Sequence, residues 1–221
     1  MSETTDRIAL LVKRGKINKA SPFPPDLKEQ DGADEQTKAA LDSGAKPSEI
    51  LDGCMKGMQE IGTLFSQNKV FVPDLLMSAK AMSAAMAHLK PHFQSGEVKR
   101  KGTFIIGTVT GDLHDIGKNL VSMVVEGCGW EIVDLGVDVG ADTFLEAIEQ
   151  HPDCAVGLSA LLTTTMPAMS QTVAAIKEKS PQTRVLIGGA PITREFADKI
   201  GADCYSPDPQ GAANYLSTAA A

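Results

Sequence analysis

From residue 103 onward the chain alternates β-rich runs with helical patterns, and that alternation leaves few folds open. The runs are TFIIGTV (103–109), WEIVDLG (130–136), CAVGLSA (154–160), RVLIGG (184–189) and ADCYS (202–206). Between them apolar residues recur at helical spacing, over Ile116 to Cys128, Thr143 to Gln150, Pro167 to Lys179 and Thr193 to Ile200, with a last helix at the C-terminus. Short apolar strands separated by helices belong to a parallel sheet covered on both faces. The expectation is an α/β domain over 103–221, a doubly wound, flavodoxin-like (Rossmann-type) parallel sheet of five strands.

The first 93 residues read differently. Asp34 to Leu41, Ser48 to Phe65 and Asp74 to Phe93 carry apolar residues at helical spacing, as in Ile50, Cys54, Met58, Ile61 and Leu64. Pro47 and Pro73 suit first turns, where a missing N–H costs little. The three prolines of SPFPPDLKEQD (21–31) interrupt the opening helix and predict an extended loop. A polar, glycine-containing stretch at 94–102, QSGEVKRKG, reads as a linker between an N-terminal helical bundle over 1–93 and the sheet domain.

Composition narrows the function. With 28 Asp and Glu against 21 Lys and Arg, the formal charge of -7 disfavours nucleic acid and anionic membrane surfaces, both of which need cationic protein surface. Cys54, Cys128, Cys154 and Cys204 lie far apart, form no C-x-x-C pair and read as buried packing residues of a reduced protein. With no apolar run of membrane-spanning length and no secretory pattern at the N-terminus, a cytoplasmic protein is expected.

In an open parallel sheet the ligand site lies at the carboxyl ends of the strands. Three unusual segments fall there. After the first strand comes Gly111, Asp112, Leu113, His114, Asp115, Ile116, Gly117. Asp112 and His114 sit two apart, so an extended loop lets the carboxylate hold one ring nitrogen while the other serves a metal; a capped strand-to-helix turn is the plainer alternative. After the third strand, Ser159 and Leu161 are followed by Thr163, Thr164 and Thr165, hydroxyls that either terminate the strand or serve a ligand. After the fourth, Gly188 and Gly189 allow close approach of another backbone or a bulky ligand. Tyr205, Ser206 and Asp208 follow the last strand.

Taken together, D-x-H-x-x-G at 112–117, S-x-L at 159–161 and G-G at 188–189 resemble the cobalamin-binding domain shared by methionine synthase and the corrinoid proteins of methyltransferase systems. The likeness extends into the helical half, where LFSQNKVFVPDLLMSAKAM (64–82) is similar to that family's cap. The resemblance implies a cobalamin cofactor, methylcobalamin or a related corrinoid, with His114 as the lower cobalt ligand and Asp112 and Thr165 completing a proton-holding chain. Methionine synthase has serine at the position of Thr165. It further implies that Ser159, Leu161 and the Gly188-Gly189 backbone line a groove for the displaced nucleotide tail, with Thr163, Tyr205 and Asp208 nearby, and that Phe65, Val72, Leu75 and Leu76 are cap contacts.

The function so implied is that of a methyl carrier, not an enzyme on its own. It would shuttle a methyl group on cobalt between a substrate-specific methyltransferase and a methyl-acceptor methyltransferase using tetrahydrofolate or a thiol, with a reductive activase as a further partner. A cobalamin-sensing regulator would need a basic recognition helix, and Trp130 lies in the sheet domain; an adenosylcobalamin mutase small subunit would lack the cap. His88 and His92 share a helical face, but Pro91 intervenes and no acidic third ligand is evident, so a structural role is expected.

Overall fold

A computed structural model describes residues 3–95 and 98–218. The chain forms two compact units, Met1–Arg100 with Gly127–Gly129, and Lys101–Glu126 with Trp130–Ala221.

The first unit is built on α1 (Glu3–Lys13), α2 (Ala33–Asp42), α3 (Pro47–Ser66) and α4 (Val72–Gln94). The α3 residues Ile50, Cys54, Met58 and Ile61 share one face and are all buried, as their spacing requires. On α3 the small residues Gly53 and Gly57 let α1 approach closely. A Cβ at Gly57 would come within 2.5 Å of the Ala9 carbonyl oxygen, and one at Gly53 within 2.7 Å of that of Thr5. Helix α4 runs through Pro91 in its last turn, where the ring removes one i→i−4 hydrogen bond and the helix ends three residues later. His88 spends its Nε2 on Asp34 at 2.6 Å, tying α4 to the start of α2; among the described residues no group of three potential ligands could hold a metal ion.

The proline-rich segment departs from the extended loop expected of it. Pro25–Leu27 closes a 3-10 turn, with Pro25 fixing the entry angle and Leu27 N donating to the Pro24 carbonyl at 3.0 Å. The turn is fastened from α1 by Arg14, which reaches both oxygens of Asp26 at 2.7 and 2.9 Å.

The second unit is a five-stranded sheet of β1 (Thr103–Thr108), β2 (Glu131–Asp134), β3 (Ala155–Ser159), β4 (Arg184–Gly188) and β5 (Cys204–Tyr205), in the order β2-β1-β3-β4-β5. Every pairing is parallel. Helices α5 (Ile116–Gly127), α6 (Ala141–Gln150), α7 (Met166–Lys179), α8 (Arg194–Ile200) and α9 (Pro209–Thr218) make the connections and the C-terminus. Strand β1 pairs with β2 on one side and β3 on the other, so the chain reverses direction across the sheet there and the loops after β1 and β3 part to leave a crevice. Trp130 stands one residue before β2 rather than within it.

The two faces of this sheet differ. Ile105, Val109, Val156, Leu158, Val185 and Ile187 point to one side and join Phe144, Ile148, Met169, Val173 and Ile176 in a continuous apolar core under α6 and α7. Alternation sends Phe104, Ile106, Gly157, Ser159, Leu186 and Gly188 to the other side. There the central strand carries almost no side chain. Phe144 is fully buried and its ring tip lies 2.8 Å from where a Gly107 Cβ would stand. Replacing Phe144 by Ala is expected to lower unfolding free energy by about 3–5 kcal/mol, read as a shift in denaturant midpoint at unchanged slope.

Candidate functional site

The loop after β1 is organised by one buried carboxylate. Gly111 takes a left-handed φ of 82°, which turns the chain so that Asp112, 0% exposed, points inward. Its Oδ1 accepts His114 Nδ1 at 2.7 Å and the His114 amide at 3.1 Å. Its Oδ2 accepts the amides of Leu161 and Leu162 at 2.7 and 3.2 Å and the Thr165 hydroxyl at 2.9 Å. Burial alone would push this carboxyl's pKa up. Hydrogen bonds from His114, from the Leu161 amide and from Thr165 outweigh it and hold Asp112 well below the usual carboxylate range. An ionised acceptor at Nδ1 draws a ring proton to that nitrogen, and no described residue hydrogen-bonds Nε2. The imidazole is 51% exposed.

Neighbouring loops brace this arrangement. Asp138, itself at φ 55°, accepts the Gly111 amide on Oδ1 at 2.7 Å and donates its own amide to the Asp112 carbonyl at 3.0 Å. Thr108 donates to the His114 carbonyl at 2.9 Å, and Thr110 to the Val139 carbonyl at 3.1 Å. The methyl of Thr165 lies 3.5 Å from where a Gly111 Cβ would be, so the larger hydroxyl residue fits because residue 111 has no side chain.

Beside the loop, a cavity of about 330 Å³ runs between the sheet and helices α5 and α9. Its floor is Ile106, Gly157, Ser159, Leu186 and Gly188, and its walls include Gly117, Leu120, Tyr205 and Asp208. A Cβ on Gly117 would meet nothing within 4 Å, and one on Gly188 would come within 3.0 Å of the Ser206 carbonyl.

Models described as B12 binding domain match residues 102–213 and 29–90. The chain belongs to the B12 binding domain family. The dimethylamine corrinoid protein 1 of Methanosarcina acetivorans is 43% identical over 78% of this chain and 81% of its own length. The trimethylamine corrinoid protein 1 of the same organism is 40% identical over 86% and 89%. Among solved structures, the methanol:cobalamin methyltransferase complex of Methanosarcina barkeri matches with a TM-score of 0.81 and 28% identity, over 99% of this chain and 80% of that one. A cobalamin-binding protein from Desulfitobacterium hafniense matches with a TM-score of 0.77 and 26% identity over 97% of both chains.

The residues present in this B12 binding domain fit a corrinoid. An outward-facing imidazole stands three residues before Gly117, which lines a slot floored by glycine and serine. Around it Leu113, Ile116, Leu161 and Leu162 are 72%, 74%, 43% and 40% exposed, an apolar rim suited to a flat, largely hydrocarbon macrocycle. His114 would hold the metal, and the slot would receive the nucleotide tail.

The structure brings together most of the residues singled out from the sequence. Gly111, Asp112, Leu113, His114, Ile116, Leu161 and Thr165 form the loop cluster, and Gly117, Ser159, Gly188, Gly189, Tyr205 and Asp208 line the slot. Asp115 faces solvent and accepts Asn119 Nδ2 at 3.1 Å, and Thr163 is exposed in the short turn before α7. Gly189 earns its glycine from the protein itself: a Cβ there would collide with the Ala160 carbonyl. In the helical unit Val72 is 37% exposed and Phe65 and Leu76 are half-buried, whereas Leu75, at 1%, belongs to that unit's own core. Sequence reasoning missed the amides of Leu161 and Leu162, which carry no side-chain signal, and it missed Asp138, whose partner lies 27 residues away. The cysteines are buried, and burial pushes the thiols of Cys54 and Cys154 up to about 12 and about 11, so they are inert.

Backbone amides face both Asp112 oxygens, so an amide in its place must set its own NH₂ against an N–H donor whichever way it flips. Asp112→Asn is expected to cost about 2–4 kcal/mol of stability. Because the folded pKa lies below the unfolded one, the carboxylate's contribution is complete above the ordinary carboxyl value of 3.8 and falls away as pH drops toward the folded value. Denaturation of wild type and variant should therefore differ by a constant amount at neutral pH and converge in acid.

Proposed function

We propose that this chain is the methyl-carrier subunit of a corrinoid-dependent methyltransferase system, in which His114 Nε2 would hold the cobalt. The single observation that carries this reading is the buried Asp112 carboxylate, which engages His114 Nδ1 and so directs Nε2 outward beside an apolar rim. When bound, the corrinoid supplies a metal centre that accepts and releases a methyl group. The protein's residues do the rest. Asp112, braced by Thr165, would hold the proton on His114 Nδ1, Leu113, Ile116, Leu161 and Leu162 would exclude water from around the imidazole, and the slot along Gly157, Ser159 and Gly188 would receive the tail. The helical unit's part in the proposal is the apolar cap, with Phe65, Val72 and Leu76 as the side chains that reach its surface.

Relatives named for dimethylamine and trimethylamine support a methylated amine as the first methyl donor, and the methanol:cobalamin methyltransferase neighbour supports a substrate methyltransferase as partner. An acceptor methyltransferase with a folate or thiol substrate, and a reductive activase, complete the proposed set. No helix of the described residues is long and apolar enough to cross a membrane.

The test is spectroscopic. Reconstituted wild-type protein in the cobalt(II) state should show nitrogen splitting in its electron paramagnetic resonance spectrum, and that splitting should change when the histidines are labelled with ¹⁵N. His114→Ala should lose it and transfer methyl groups at least about a hundredfold more slowly. A variant that keeps both the splitting and the rate would overturn the assignment.

A further inference from the structure

Away from the strand ends, the slot beside the His114 loop is lined by carbon. Along β3 it passes Ser159 and then Gly157, flanked by Ile106 of β1 and Leu186 of β4, which are in register with Gly157. One step deeper stands Phe104, 1% exposed. A Cβ on Gly157 would fall on the tip of the Phe104 ring, with both Cε atoms at 3.2 Å, so the ring occupies the space that a side chain at 157 would otherwise take. Phe104 thus forms the end wall, and Gly157 is what admits it.

The polar groups lining this slot lie at the mouth or are already engaged. Ser159 ends β3 and Tyr205 ends β5, with Ser206 and Asp208 beyond it. Ser206 donates to the Asp208 carbonyl at 2.6 Å, and Asp208 Oδ1 accepts the Gly211 amide at 2.8 Å. Lys118, 3% exposed, gives two of its three ammonium hydrogens to Asn119 and to Asp134 at the end of β2, which keeps it on the side of the strand ends. Deeper in, the strand amides and carbonyls belong to the ladders β3 makes on both sides. A heteroatom pushed to the end of the slot therefore finds no partner.

From this we infer that the Phe104–Gly157 wall selects the lower base of the corrinoid, admitting a benzimidazole, whose leading ring is hydrocarbon, and rejecting a purine, whose leading ring carries ring nitrogens and an exocyclic amine. The inference rests on the carrier reading and deepens it. A buried polar group left unpaired weakens binding on the order of tenfold or more, whereas methyl groups on a benzimidazole are favoured in an apolar end.

The experiment compares dissociation constants of the wild-type chain for cobalamin, for the cobamide with adenine as lower base, and for cobinamide, which has no nucleotide. Cobalamin should bind at least about tenfold tighter than the adenine cobamide. Equal or tighter binding of the adenine form overturns the inference. A protein nitrogen on cobalt(II) with all three ligands upholds the carrier reading whatever the ranking, and its absence with all three sinks that reading instead. Two variants address the wall. Gly157→Ala drives the Phe104 ring tip into the slot, so cobalamin affinity should fall at least about tenfold while cobinamide affinity stays unchanged. Phe104→Leu keeps an apolar core residue but lengthens the slot, so a cobamide with a tricyclic naphthimidazole base should gain at least about tenfold relative to cobalamin. If the folded Gly157→Ala protein keeps wild-type cobalamin affinity, or Phe104→Leu shows no gain for the larger base, the wall does not set selectivity.

Discussion

A carboxylate without solvent is costly unless every lone-pair direction meets a donor, and the site of this protein is arranged around meeting that demand at Asp112. Two donors come from His114 itself and three from the chain after β3, so one residue joins the loops on either side of the crevice. The imidazole's tautomer and direction follow from that junction. Because the same carboxylate oxygen takes both the His114 ring N–H and its backbone amide, the ring cannot turn without losing a charge-assisted bond. The free nitrogen is thus presented by the folding of two strands and their loops rather than by the histidine's own preferences.

The sheet divides its labour by face. On the α6 and α7 side, branched and aromatic residues interlock into a dry core that supplies stability. On the α5 and α9 side the central strand offers Gly157 and Ser159, and the missing volume becomes the slot. A strand with period-two alternation can carry both assignments at once, one set of side chains for packing and one absence of side chains that leaves a cavity. Placing that absence beside the point where strand order reverses puts the slot next to the His114 loop, where the connections already diverge.

Much of this was legible in the linear chain. Alternating apolar runs and helical periods locate each strand and helix to within a few residues, and the histidine, serine and glycine pair mark the rim. The regular strands are shorter than the apolar runs, Glu131–Asp134 within WEIVDLG and Cys204–Tyr205 within ADCYS, although single interstrand bonds continue beyond them, Leu135 N to the Ile106 carbonyl at 2.8 Å and Ser206 N to the Ile187 carbonyl at 3.0 Å. The segment rich in proline folds more tightly than its composition implied, because Arg14 supplies Asp26 with a partner that no local pattern reveals.

What the sequence determined by itself is therefore the fold class, the family and the place of the Asp112–His114 pair in the loop after the first strand, since these rest on periodicity and on short-range spacing that survives without coordinates. The tertiary structure alone decided which nitrogen of His114 is free, that two backbone amides complete the Asp112 shell, that Asp138 clasps the Gly111 turn, and that Phe104 closes the slot over Gly157. Each of these depends on atoms brought together from separate strands or loops, and backbone donors and a ring resting on a glycine leave no mark in the order of side chains.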